Sequence, residues 1–185
     1  MTTFKVGYLV GSLATASINR LLAKALVRLA PQHLDMAEIP FRDLPIYSYD
    51  YDADYPTPAR EFKKAIAAVD AVLFVTPEYN RSMPGVLKNA IDVGSRPSGK
   101  SVWAGKPAAI VSVSPGAIGG FGANHNVRQS IVFLNMPAMP VPETYIGGAA
   151  NLFGPDGSIT VDNTRELMTR FLAAFAQWIG RNASS

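Results

Sequence analysis

Short, uninterrupted apolar runs alternate with amphipathic segments along the chain. The clearest run covers residues 71–75, and a run of this length is typical of a strand buried on both faces of a sheet. Similar runs predict strands over residues 4–10, 34–39, 107–113 and 141–146, of which the second is weak. Pro140 and Pro142 place the last strand at a sheet edge, because proline cannot donate a hydrogen bond to a central ladder.

Helices are predicted where apolar residues recur at helical spacing. They cover residues 19–29, 58–69, 85–94, 122–135 and 164–179. We expect Thr57 to cap the second helix and Gly180 to end the last one. Because strands and helices alternate throughout, the 185 residues are predicted to form a single α/β domain around a doubly wound parallel sheet.

Composition excludes several kinds of function. The chain has no cysteine, so it cannot use a thiol nucleophile, a disulfide or a cysteine metal site. Its net charge of +3 comes from scattered basic residues, whereas nucleic-acid binding favours a basic stripe. The two histidines, His33 and His125, lie far apart in sequence, and no metal site is expected. Without a membrane-spanning run or a signal-peptide core, we expect a soluble cytoplasmic protein.

Three connections that leave strand ends carry the candidate chemistry, since such connections form the ligand crevice of an open parallel sheet. The first loop, residues 11–19, offers short polar side chains at a helix start, namely Ser12, Thr15, Ser17 and Asn19. Together with free backbone N–H groups, these side chains favour an anion such as phosphate. The alternative is that Ser17 or Asn19 only caps the helix.

The second loop, residues 76–82, combines an aromatic ring with a carboxylate and a carboxamide. Its candidate ligand-binding residues are Pro77, Glu78, Tyr79 and Asn80. This set suits a flat ligand with polar edges. The alternative is a surface turn in which Asn80 and Ser82 cap the next helix.

The third loop, residues 114–120, is rich in glycine. Gly116, Gly119 and Gly120 would let the backbone approach a ligand closely, or they would merely form a turn. If the three loops converge, an anion site, a polar aromatic edge and a flat backbone wall come together. That arrangement suits a phosphorylated planar ring system.

Two other patterns leave alternatives open. Residues 94–101 match the phosphate-binding pattern G-x-x-x-x-G-K-[S/T], but they follow a helix, whereas that motif follows a strand and opens a helix. Nucleotide hydrolysis is therefore disfavoured. In residues 47–55, tyrosines alternate with aspartates, which indicates either an exposed connector or a lip near the active site or a partner subunit.

These motifs resemble those of the NAD(P)H-dependent FMN reductase family, in particular its bacterial quinone and chromate reductase branch. Residues 76–92 are similar to the family's flavin-ring loop over their whole length. The first loop is similar to the family's phosphate loop, and the third loop matches its remaining flavin contact. One departure is Ala14, where the family commonly has arginine. Arg20 is a candidate to replace that charge, or it is an exposed surface residue.

The resemblance implies a flavodoxin-like fold with strand order 2-1-3-4-5 and noncovalently bound FMN. It also implies a homodimer or homotetramer. It assigns residues of all three loops to FMN, with the phosphate at the first loop and the ring between the other two. These residues are Ser12, Ser17, Ile18, Asn19, Pro77, Glu78, Tyr79, Asn80, Ser114, Pro115, Gly116, Gly119 and Gly120.

The implied activity is an NAD(P)H oxidoreductase that passes electrons through bound flavin to a small-molecule acceptor, with ping-pong kinetics. Quinones are the expected acceptors, and chromate, azo compounds and free flavin share the same half-reaction. The flavin carries the chemistry, so no side chain is assigned as catalytic. The alternative is a flavodoxin-like electron carrier that does not itself oxidise NAD(P)H. Such carriers tend to be acidic, so the net positive charge favours the enzyme.

Overall fold

A five-stranded parallel sheet forms the centre of the protein. The computed structural model describes residues 2–182. The strands are β1 (Phe4–Val10), β2 (Leu34–Glu38), β3 (Ala71–Thr76), β4 (Ala108–Val113) and β5 (Thr144–Ile146). They pair in the order β2-β1-β3-β4-β5, and every neighbouring pair is parallel. This is the flavodoxin-like order, so the predicted fold class is confirmed.

Five helices cover the two faces of the sheet. They are α1 (Ile18–Leu29), α2 (Thr57–Ala67), α3 (Gly85–Ser95), α4 (Phe121–Phe133) and α5 (Asp162–Asn182). The apolar sides of α1 and α5 pack on one face, and those of α2, α3 and α4 pack on the other. Every residue of β3 and β4 is buried, which explains why both strands are continuous apolar runs in the sequence.

The core under α2 and α3 is organised around Trp103, which is fully buried. Its ring lies 6.0 Å from that of Phe62 and 6.1 Å from that of Phe74, measured between ring centroids. The indole N–H donates a 2.9 Å hydrogen bond to the Ile91 carbonyl, so the polar end of the side chain is satisfied inside the core. Gly94 on α3 faces this ring directly.

Three predicted boundaries are wrong. Thr57 does not cap α2, because it is the first helical residue and Pro56 takes the cap position without a side-chain hydrogen bond. Gly180 does not end α5, which continues to Asn182. The residue is not among the glycines with a positive φ angle, so it lacks the left-handed conformation of a glycine that ends a helix. The strand β5 begins only at Thr144, since the two prolines before it have no N–H for a ladder. None of the helices within residues 2–182 has the length and apolar character needed to span a membrane.

Substituting Gly94 tests the packing against Trp103. A Cβ atom at position 94 would lie 2.4 Å from the indole nitrogen, and the buried ring is held by its bond to Ile91. We expect Gly94→Ala to lower the free energy of unfolding by about 1–3 kcal/mol, as for other overpacked cores.

Gly85→Ala on the same helix is the matched control, because nothing lies within 4 Å of a Cβ atom there. This variant should be neutral or gain up to about 1 kcal/mol. Urea unfolding of both variants makes the comparison, and equal stabilities would contradict the described packing.

Candidate functional site

The register of the central strands brings the three loops to one edge of the sheet. Val10 of β1 lies opposite Val75 of β3, and Thr76 of β3 lies opposite Ser112 of β4. The Gly11 N–H continues the ladder with a 2.8 Å bond to the Val75 carbonyl. A Cβ atom at Gly11 would lie 3.1 Å from Thr76 Oγ1, so the absent side chain allows the first and second loops to touch.

A cavity of about 280 Å³ lies where the three loops meet. It is lined by Ser12, Ala14, Ala16, Ser17, Ile18 and Asn19 of the first loop, by Pro77, Glu78 and Tyr79 of the second, and by Val113, Ser114 and Pro115 at the third. Most of the residues expected from the sequence are therefore brought together. Ala14, already noted as the position where the family commonly has arginine, is also in the lining. Sequence reasoning missed Ala16 and Val113, because their small apolar side chains give no chemical signal.

The buried polar groups of the first loop point to a polar ligand. Ser12, Ser17 and Asn19 are all at most 5% exposed. Ser17 is the N-cap of α1, and its hydroxyl accepts a hydrogen bond from the Arg20 N–H at 3.3 Å. Asn19 is not a cap, and its buried Oδ1 has no hydrogen-bond partner within the described residues. An unpaired buried amide oxygen is costly. A ligand N–H or O–H would satisfy this oxygen, and a ligand acceptor would bind the amide if its NH₂ were turned toward the cavity.

The second loop is a tight turn rather than a helix cap. Tyr79 and Ser82 exchange two backbone hydrogen bonds of 3.0 Å, and both residues between them have positive φ angles. Asn80 stands at the tip of this turn in a left-handed conformation that asparagine tolerates, and it does not line the cavity. Tyr79 stays half exposed at the rim of the cavity.

Glu78 fastens the second loop to the start of α4. Its Oε2 accepts a 3.1 Å hydrogen bond from the Ala123 N–H, and its Oε1 lies 3.2 Å from Arg81. The positive end of the α4 dipole favours a carboxylate at this position. Ser82 adds a second tie by donating to Asn126 Oδ1 at 2.9 Å. The carboxylate therefore has a positioning role in addition to its place in the cavity wall.

The glycines of the third loop lie outside the cavity lining. Gly119 and Gly120 are buried, have positive φ angles and do not line the cavity, and neither does Gly116. A Cβ atom at Gly119 would lie 2.6 Å from the Tyr145 backbone, and one at Gly120 would lie 3.0 Å from Ser112 Cβ. These two glycines let the loop pack against β5 and β4, so the close backbone approach is internal to the protein.

An aromatic and ionisable cluster lies beside the third loop. His125 Nε2 is 2.9 Å from the Tyr145 hydroxyl, which also donates to Glu143. The Phe121 ring stacks 4.3 Å from His125. Burial, and then the hydrogen bond to Glu143, raise the pKa of Tyr145 to about 12, so this hydroxyl remains protonated at neutral pH.

Other candidate segments lie away from the cavity. The carbonyls of Arg96 and Lys100 both accept hydrogen bonds from Lys63, so residues 94–101 present acceptors and not a phosphate cradle. Residues 47–55, in which tyrosines alternate with aspartates, pack on α3 through the Tyr55 hydroxyl, which donates to the Val93 carbonyl at 2.9 Å. Arg20 forms an ion pair with Glu38 through two hydrogen bonds of 2.6 and 2.8 Å, and it does not line the cavity.

A larger groove of about 830 Å³ runs between α3 and α4. It is lined by Lys88, Ile91, Asp92, Ser95, Arg96, Ser98, Gly99, Asn126, Gln129, Ser130, Phe133 and Leu134, none of which belongs to the three loops. Judged by volume alone, this groove would be the better candidate for the functional site. The smaller cavity remains the candidate site, because buried polar groups from three strand ends converge there.

Comparison with known proteins agrees with this geometry. Residues 4–151 match the family described as NADPH-dependent FMN reductase. The chain is 56% identical to a quinone reductase of Pseudomonas putida over 180 residues, which is 97% of this chain and 96% of that protein. It is 46% identical to a 2-hydroxy-1,4-benzoquinone reductase of Burkholderia sp. over 175 residues, covering 95% and 96%.

A solved structure shows the same relationship in three dimensions. FerB, a flavoenzyme NAD(P)H:(acceptor) oxidoreductase from Paracoccus denitrificans, superimposes with a TM-score of 0.93 at 40% sequence identity. The match covers 98% of this chain and all of that one. With its flavodoxin-like sheet and its three converging loops, the chain belongs to the NADPH-dependent FMN reductase family.

Proposed function

We propose that the protein is an FMN-dependent NAD(P)H oxidoreductase that reduces quinones. The observation that carries this proposal is the cavity formed by all three loops, with the unpaired amide oxygen of Asn19 buried beside it. Two relatives with 56% and 46% identity are described as quinone or benzoquinone reductases, which supports the acceptor class. Membership of a reductase family favours the enzyme over the electron-carrier alternative.

The donor groups of the cavity fit FMN. Ser12, Ser17 and Asn19 would hold the phosphate at the start of α1, where backbone N–H groups and the helix dipole favour an anion. Rotation of the Asn19 amide can present either its NH₂ or its oxygen to the ligand. Pro77 and Tyr79 of the second loop would border the ring. On the opposite side, Ser114 and Pro115 would complete its enclosure.

The side chains of the site position ligands and exclude water. When bound, FMN supplies the two-electron transfer between the nicotinamide and the acceptor. Glu78 is engaged by Ala123 and Arg81, so its carboxylate holds the second loop in place. Tyr79 offers a half-exposed ring at the rim, against which a planar donor or acceptor can rest.

Donor and acceptor would use the same opening in turn, which is the physical basis for ping-pong kinetics. A quinone and a nicotinamide are both flat, and both would contact the rim formed by Tyr79. Chromate, azo compounds and free flavin remain predictions as acceptors. The choice between NADPH and NADH and the cytoplasmic location also remain predictions.

Removing the polar groups of the first loop tests the FMN site. We expect Ser17→Ala combined with Asn19→Ala to weaken FMN binding at least about tenfold, because each lost hydrogen bond to a charged group contributes about 1.5–3 kcal/mol. Flavin fluorescence gives the affinity, and NAD(P)H-dependent quinone reduction at limiting FMN should fall in parallel.

The matched control is Ser98→Ala with Asn163→Ala, which removes the same two kinds of side chain from exposed positions outside the cavity. Circular dichroism verifies that each variant is folded, since loss of the Ser17 cap alone costs about 1 kcal/mol. A folded Ser17/Asn19 variant with unchanged FMN affinity would contradict the site assignment.

We propose further that the protein self-associates through the groove between α3 and α4. Phe133 is 88% exposed and Val132 is 61% exposed, and both lie at the end of α4. Phe133 lines the groove together with the partly buried Leu134 and with Ile91, which forms the buried floor. Because a two-fold interface uses the same patch on both copies, Phe133 of each copy can enter the groove of the other.

Phe133→Glu tests this interface. A carboxylate would have to be buried against the partner's groove, so we expect the mass measured by light scattering to fall by about half or more. Val161→Glu is the control, because it places the same charge at an exposed apolar position outside the groove. A monomeric wild-type protein, or a Phe133→Glu variant with unchanged mass, would contradict the proposal.

A further inference from the structure

The first loop has no positive charge of its own. Residues 11–19 contain only glycine, alanine, leucine, isoleucine, serine, threonine and asparagine. A phosphate monoester carries about two negative charges at neutral pH. Serine and asparagine groups and one helix start offer hydrogen bonds to such a dianion, but they leave its charge without a cation. A basic residue from another part of the fold would add the charge that this loop lacks.

Arg20, the nearest basic residue in sequence, is already engaged. Two hydrogen bonds of 2.6 and 2.8 Å join one of its guanidinium nitrogens to the two carboxylate oxygens of Glu38 at the end of β2. Both side chains are about one-third exposed. The charge of Arg20 is thus balanced before any ligand arrives.

Arg42 reaches the first loop from the segment that follows β2. Its Nη2 donates a 2.6 Å hydrogen bond to the Leu13 carbonyl, between the cavity-lining residues Ser12 and Ala14. Arg42 is an exposed residue that does not itself line the cavity, and no ion pair involves it within residues 2–182. Four further N–H donors therefore remain available for a ligand.

The segment that carries Arg42 is held at both ends. On one side Phe41 is buried in the core under α2. On the other side Asn89 of α3 donates to the Pro45 carbonyl at 2.9 Å and accepts from the Tyr47 N–H at 2.8 Å. A fixed backbone reduces the entropy lost when the arginine binds a ligand.

From this geometry we infer that Arg42 is the phosphate-recognising cation of the site. The inference rests on the proposed function, because it assigns a charge partner to the ligands of that same cavity. The chemistry it recognises is a phosphate group at the first-loop end of the site, which is the 5′-phosphate of FMN or the 2′-phosphate of NADPH. In both cases Arg42 is a binding residue and takes no part in electron transfer.

Arg42→Gln distinguishes the positive charge of Arg42 from its hydrogen bond to the Leu13 carbonyl. Glutamine keeps an N–H donor for the Leu13 carbonyl but loses the positive charge. If the 5′-phosphate is recognised, FMN affinity should fall at least about tenfold while riboflavin affinity stays unchanged. If the 2′-phosphate is recognised, KM for NADPH should rise by a similar factor while KM for NADH stays unchanged. Arg42→Lys should recover most of either loss.

Lys24→Gln is the matched control, since it makes the same charge change on the exposed side of α1. Flavin fluorescence titrations at low and high salt provide a readout independent of turnover. The FMN affinity of Arg42→Gln should depend less on salt than that of the wild type, because the variant lacks the ionic contact with the phosphate. Equal losses for the phosphorylated and unphosphorylated ligands would mean that Arg42 only tethers the loop and would overturn the inference. Unchanged binding of both FMN and NADPH would also overturn it. A wild-type protein that binds no FMN would instead refute the proposed function.

Discussion

The parallel register of β1, β3 and β4 is the constraint on which the candidate site depends. Parallel strands end at the same edge of the sheet, so the pairing of Val10 with Val75 and of Thr76 with Ser112 places the three loops side by side. A slip of one residue would exchange the side chains that face the two cores, and it would displace the loop at the strand end by about 3.3 Å. Because β3 and β4 are buried on both faces, the hydrophobic core itself resists such a slip.

Local contacts hold the three loops in the places that the sheet gives them. Glu78 fixes the second loop against the start of α4, while Gly119 allows the third loop to rest on the backbone of β5. The first loop is tied to the segment after β2 through Arg42. Among the polar groups of the cavity wall, Asn19 stands out because its buried oxygen has no partner within the described residues.

The sequence predicted the features that depend on local pattern. Strand order, the helices and the convergence of three loops follow from apolar periodicity and from the resemblance of residues 76–92 to a known motif. Features that depend on tertiary contacts have no reliable local signal. Gly180 continues a helix, Gly119 serves internal packing, and Arg20 pairs with Glu38. The reach of Arg42 to Leu13 spans 29 residues of sequence and leaves no local signal.

The central claim is that one cavity holds FMN and lets NAD(P)H reduce it. The most direct measurement is the visible absorption spectrum of the purified protein with added FMN, followed by anaerobic addition of NADPH or NADH. We expect a protein-bound flavin spectrum that bleaches when the nicotinamide is added and returns when a quinone is added. A protein that binds no flavin would contradict the assignment of the cavity, and a bound flavin that does not bleach would support an electron carrier instead.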